Sequence, residues 1–147
     1  MLQNALFNNR ILIAALLSWA VAQVSKVFLE LIQQRKLIPS RLVSSGGMPS
    51  SHSALVTGLA TAAGRVNGLG SASFAIAVVL ASIVMYDAAG VRRAVSIQAR
   101  ILNQMIDEAF QGHPMAEKRL RELIGHTPIQ VFVGGLLGIG IGLLITV

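Results

Sequence analysis

Cysteine is absent from the 147 residues, so no disulfide framework, thiolate metal site or cysteine nucleophile can be built. Charge is scarce: Asp, Glu, Lys and Arg make up 12% of the chain, against about 25% in a typical soluble domain. Acidic residues are the rarer sign, six against twelve Lys and Arg, for a net charge of +6. Aromatics amount to 5%, and the basic residues flank apolar segments instead of forming one polar unit, which argues against nucleic acid as a partner. No pair of carboxylates has the spacing of a metal site. The opening "MLQNALFNNR" lacks the basic n-region and small-residue cleavage site of a signal peptide, so Ile11 onward reads as a retained membrane segment. What fills the chain is apolar, 54% hydrophobic with a mean hydropathy of +0.68. Length suits a single domain, 1–147, and composition suits an integral membrane protein.

Four windows can enter a bilayer: Ile11–Ile32, Ser53–Gly64, Ser71–Tyr86 and Ile129–Val147. Ser53–Gly64 is short and rich in small residues, which suits packing inside protein more than contact with lipid along its length. The last window carries Gly134, Gly135, Gly138, Gly140 and Gly142, which permit close helix contact. Between Gly90 and Gly125 the chain turns polar but stays helical in pattern. Val95, Ile101, Leu102, Met105, Ile106, Ala109 and Phe110 form an apolar stripe that "QGHP" ends, and Met115–Ile124 is a second amphipathic piece. The expected fold is an all-α integral membrane helical bundle, with about four membrane segments plus amphipathic helices.

If all four windows cross, Arg35, Lys36, Arg41, Arg92, Arg93, Arg100, Lys118, Arg119 and Arg121 share one side. The other side holds Arg10 and Arg65. The positive-inside rule then turns the 35–52 and 90–126 loops toward the cytoplasm.

A chain this apolar spends residues 44–54, "SSGGMPSSHSA", on a shaped polar loop. Two glycines and a proline make a turn, and Ser50, Ser51 and Ser53 then supply caps and hydroxyls at a new helix start. A helix N-terminus with free N–H groups accepts an anion, most commonly phosphate, and His52 sits within it. The plainer reading is a serine-capped helix whose histidine bonds only to backbone. Near the other end, "GHTPIQVFVGGLLG" puts His126 just before the last apolar window, again with a proline two residues on. Alone it reads as an interfacial capping histidine. Two histidines on one face, together with cations, are what phosphoryl transfer through a phosphohistidine requires. One imidazole attacks phosphorus, the other protonates the leaving oxygen, and Lys or Arg hold the equatorial oxygens.

"GGMPSSHSA" resembles the P-S-G-H motif of the type 2 phosphatidic acid phosphatases, which share their core with vanadium haloperoxidases. "HTPIQVFVGGLLG" is similar to the H-x-x-x-D-V-x-x-G-x-x-x-G ending of that superfamily. With "YDAAGVRRAVSIQARILN" between them, the three blocks resemble the divergent acid phosphatase/vanadium-dependent haloperoxidase-related membrane proteins of bacteria and plastids. The resemblance implies His126 as nucleophile, His52 as the group assisting departure, and a phosphate cradle over Gly47, Ser50 and Ser51. It implies Lys26 as the first-motif lysine and Arg35 as its arginine, although the spacing is longer and no proline follows. Snorkelling, or pairing with Glu30, is the alternative for Lys26. The arginine expected six residues before the histidine is replaced by Leu120, which leaves Arg92 and Arg93, or Arg119 and Arg121, as phosphate ligands. Asp87 is either an arginine-orienting carboxylate or a polar helix stop. Gln130 stands where the superfamily has an imidazole-orienting carboxylate, and Glu122 is a substitute one helical turn before His126. His113 reads as a loop residue.

The function so implied is a membrane-embedded phosphatase for a lipid phosphate or prenyl diphosphate, with no cofactor and no metal. The alternative is a non-catalytic lipid-phosphate binding, carrier or assembly protein that retains the anion site, a reading Gln130 favours. The expected location is a bacterial cytoplasmic membrane or a plastid membrane. A homodimer is expected because four spans are fewer than the superfamily's usual six.

Overall fold

A computed structural model describes residues 8–34, 47–109 and 125–147, apart from the side chains of 30, 33, 34, 92 and 107–109. Among the described residues the elements are five helices: α1 (Arg10–Gln34), α2 (Ser51–Asn67), α3 (Ala72–Ala89), α4 (Val91–Ala109) and α5 (Pro128–Ile145). The four apolar windows each become a helix whose ends lie within three residues of the window's, with Ser71 left outside α3 as its cap and the last helix stopping at Ile145. Asn9 accepts from the Leu12 N–H and starts α1. Ser50, Ser71 and Thr127 cap α2, α3 and α5, each accepting from a backbone N–H three residues on. Gly68, at φ +87°, ends α2 in a conformation that favours glycine. The polar stretch after Gly90 is helical as far as Ala109; "QGHP", including His113, and the expected helix Met115–Ile124 lie outside the described residues.

α2 is the axis of the bundle, packed against α1, α3 and α5. Contacts of Lys26 with Ser51 and of Ser18 with Gly58 set α1 antiparallel to α2. Gly64 against Phe74 sets α3 antiparallel as well, whereas Gly134 against Ser50 and Gly142 against Thr61 set α5 parallel. The core is made of small residues. Ala14, Ser18 and Ala22 of α1 and Ala54, Gly58 and Ala62 of α2 are all buried, with Ser18 and the Ala14 carbonyl against Gly58, and the largest fully buried side chains are serines. Large side chains such as Phe28, Ile76, Ile83, Phe132 and Leu144 point outward. This inversion of a water-soluble interior is expected where lipid solvates large apolar groups and helices associate by close backbone approach. A Cβ on Gly134 would fall on the Ser50 carbonyl, and one on Gly138 would fall on Thr57 Oγ1 and the Ala54 carbonyl.

Among the described residues three helical runs are long and apolar enough to cross a membrane: Arg10–Leu29, Ala72–Ile106, whose apolar part is α3, and Pro128–Ile145. α2, with 17 residues, is not among them and lies enclosed by its neighbours instead. α3 and α4 form one nearly continuous run. The Gly90 N–H donates to the Tyr86 carbonyl at 2.8 Å, and the Ala94 N–H donates to the Gly90 carbonyl at 3.0 Å.

Candidate functional site

The parallel alignment of α2 and α5 brings both helix starts, and the second half of α1, to one end of the bundle. Ser50 is fully buried, and its N–H donates to the Gln130 carbonyl at 3.0 Å. The turn before it carries Gly47 at φ +80° and places Pro49 in the interior. The Ser50 hydroxyl accepts from the Ser53 N–H at 3.4 Å and the Ser53 hydroxyl at 2.9 Å, which closes the first turn of α2. The "PSSH" loop is therefore a capped helix start pinned to the first turn of α5.

Lys26 reaches this start from α1. It is only 6% exposed, and its Nζ donates to Ser51 Oγ at 3.1 Å. That described partner is a neutral hydroxyl; the side chain of Glu30, the alternative partner, lies outside the described ones. An ammonium held against a helix N-terminus places two positive potentials together in a low-dielectric setting. The hydroxyl it uses stands where the P-S-G-H pattern has glycine, so this sequence adds a donor–acceptor group to the helix start.

His126 is 2% exposed. Its backbone N–H donates to the Ala88 carbonyl at 3.2 Å, which ties the histidine to the last turn of α3. Its Nδ1 lies 3.2 Å from Gln130 Oε1. The same oxygen accepts from the Thr127 N–H at 3.0 Å, while Thr127 Oγ1 accepts from the Gln130 N–H, completing a capping box. A backbone N–H can only donate, so the amide atom facing it is the oxygen; that oxygen then accepts from Nδ1–H. In the neutral ring this leaves the lone pair on Nε2. Gln130 thus does for tautomer and orientation what a carboxylate would do, without the negative charge that would stabilise an imidazolium.

The remaining candidates are placed by helix and exposure. His52 is half-buried in the first turn of α2, and Asp87 is half-buried in the last turn of α3. Arg93 is exposed in the first turn of α4, Arg92 precedes it there with its side chain outside the described ones, and Gly47 is exposed in the loop. Arg35 lies outside the described residues, as do Lys36, Arg41, Glu122 and the 118–121 cluster. Sequence reasoning missed the Ala88 carbonyl, which carries no side-chain signal, and the contact of Gly134 with Ser50, of which only the glycine was visible. Among the described residues no group of His, Asp or Glu is arranged to hold a metal.

The profile of the divergent PAP2 family matches residues 7–141, which include every group of this site. The chain belongs to the divergent PAP2 family. It is also 44% identical over 145 residues to the uncharacterized membrane protein YuiD of Bacillus subtilis (strain 168), covering 91% of this chain and 92% of that one. No solved structure matches it. The divergent PAP2 assignment and the apolar helices together make this an integral membrane protein of phosphatase-related kind.

Proposed function

We propose that the protein hydrolyses a lipid phosphate or prenyl diphosphate through a phosphohistidine. The observation that carries this reading is the buried Lys26 ammonium set on the Ser51 hydroxyl at the start of α2, at the same end of the bundle as His126. The phosphate sits on the N–H groups of that start, with Lys26 neutralising its oxygens. His126 Nε2 attacks phosphorus in line, forming the P–N bond as the bond to the leaving oxygen breaks, and His52 protonates that oxygen. Water then attacks the phosphohistidine, giving its proton to His52, and phosphate leaves as His126 Nε2 regains its lone pair. Arg35, Arg92 and Arg93 add positive charge around the equatorial oxygens, and Asp87 orients an arginine.

An apolar cleft of about 340 Å³ between α2, α3 and α5, lined by Thr57, Phe74, Val78, Met85 and Ile139 among others, suits a lipid chain. Positive charge outside the apolar segments favours a site on the cytoplasmic leaflet. The test is to incubate purified protein with radiolabelled lipid phosphate and quench in alkali. Acid-labile, alkali-stable phosphate on wild type and none on His126→Ala supports the reading, whereas equal turnover by both proteins refutes it.

One observation favours a second reading, a lipid-phosphate binder or carrier: the oxygen facing His126 Nδ1 belongs to an amide and brings no charge to an imidazolium. Tight orthovanadate binding without turnover of any lipid phosphate would select it.

A further inference from the structure

The most two-faced helix of the five takes no part in the core around α2. Along α4, Val91, Val95, Leu102 and Met105 recur on one side at helical spacing, and all are exposed, Leu102 by 47% and Met105 by 59%. Arg93 and Arg100, also exposed, lie on the opposite side. Outward-facing leucines on α1, α3 and α5 need no further partner than lipid chains, because those helices have membrane-spanning lengths of apolar sequence. α4 is not: it is polar overall with a single apolar stripe. A helix of that kind belongs in the plane of the headgroups, not in hydrocarbon or in water. Its packing against other helices is chiefly on α3, from which only Gly90 separates it.

We propose that α4 is a docking surface for anionic phospholipid, lying in the headgroup layer with its Val95–Leu102–Met105 stripe toward the acyl chains. Two observations select this occupant. α3 is an 18-residue apolar helix and only Gly90 separates it from α4, so the first turn of α4 stands at the end of an apolar segment, and Arg100 supplies charge complementary to anionic headgroups. The last turn of α3, whose Ala88 carbonyl holds the His126 backbone, leads directly into this helix. Lipid that seats α4 therefore also fixes the depth of the His126 end. The surface does not depend on phosphate chemistry at that end.

The absence of cysteine makes the test clean. Single variants Val95→Cys, Leu102→Cys and Gln104→Cys of the full chain carry a nitroxide in vesicles of phosphatidylcholine, with or without phosphatidylglycerol. Labels at 95 and 102 are expected to collide with oxygen and to be shielded from an aqueous relaxant, with the label at 104 doing the reverse. The contrast is expected to deepen when phosphatidylglycerol is present. In that mixture Arg100→Gln raises the ratio of undocked to docked helix about fivefold. Water-exposed labels at 95 and 102 in both vesicle types overturn the proposal. Spin–spin broadening at 102 overturns it in favour of a second copy. Shielding that is unchanged in detergent micelles overturns it in favour of packing against this chain itself.

Discussion

Two serine-capped helix starts stand at opposite ends of the bundle. Ser50 opens α2 and Ser71 opens α3, each accepting from an N–H three residues on, at 3.4 Å and 3.2 Å. Around Ser71 the polar groups bond to one another in the open. Asn67 Nδ2 donates to Ser73 Oγ at 2.9 Å, and Ser71 Oγ donates to the Gly68 carbonyl at 2.8 Å. Around Ser50 the same residue types are buried, and Lys26, Gln130 and His126 have been brought to them. The local device is identical; only its surroundings differ. A serine cap is therefore no evidence of a site, and an enclosed cation beside one is.

The sharpest way to break the contrast is to separate the two helices that enclose the first start. Gly134→Val drives a side chain into the Ser50 carbonyl and is expected to destabilise the bundle by about 3 kcal/mol. Gly70→Ala, beside the Ser71 start, meets nothing and stays within about 0.5 kcal/mol. Thermal unfolding in one detergent, read side by side, checks the pair. Removing the enclosed cation comes next. Lys26→Met is expected to weaken orthovanadate binding at least about tenfold, or ~1.4 kcal/mol, while the melting temperature holds or rises, because a buried charge gives way to an apolar chain of similar volume. Arg65→Met, at the far end, leaves vanadate affinity unchanged, and calorimetric titration of both variants decides the matter.

Gln130 tests what the imidazole needs. Gln130→Ala removes half of the capping box and the Nδ1 contact, for about 1 kcal/mol of stability and a fall in phosphohistidine formation. Gln130→Glu keeps an oxygen to accept both hydrogen bonds and adds charge, so the rate of phosphohistidine formation is expected to exceed wild type; a lower rate would show that the amide is the better partner. The smallest effect belongs to Ser73→Ala, which loses only exposed hydrogen bonds and shifts stability by less than about 0.5 kcal/mol. Ser53→Ala, with a buried hydroxyl on Ser50, should shift both stability and vanadate affinity by more.

Much of this end was legible in the chain because its signals are local. A histidine and a glutamine four residues apart across a helix start must lie close together, and Gln130 does face His126. Small residues along 53–64 announced a helix packed inside protein, and α2 is so packed. What was not legible depends on how helices cross. Lys26 was readable as an oddity within an apolar segment, but its pairing with Ser51 follows from the antiparallel register of α1 and α2. No residue type encodes that register by itself. Gly134 and Gly138 signalled close approach without naming Ser50 and Ala54 as the neighbours. The Ala88 carbonyl, a backbone group in an alanine pair, left no trace at all.

The hydrogen bond from the Ser50 N–H to the Gln130 carbonyl has a consequence for how the molecule is made. Of the described helices, α5 leaves the ribosome last. Until it arrives, α2 has no glycine face to receive Ser50, Ala54 and Thr61, and the polar start of α2 lacks the carbonyl that anchors it. A nascent chain holding α1 to α4 therefore exposes a half-built groove within the membrane, which insertion machinery or lipid must occupy in the meantime. Arrival of α5, not arrival of a ligand, is then the event that anchors the start of α2.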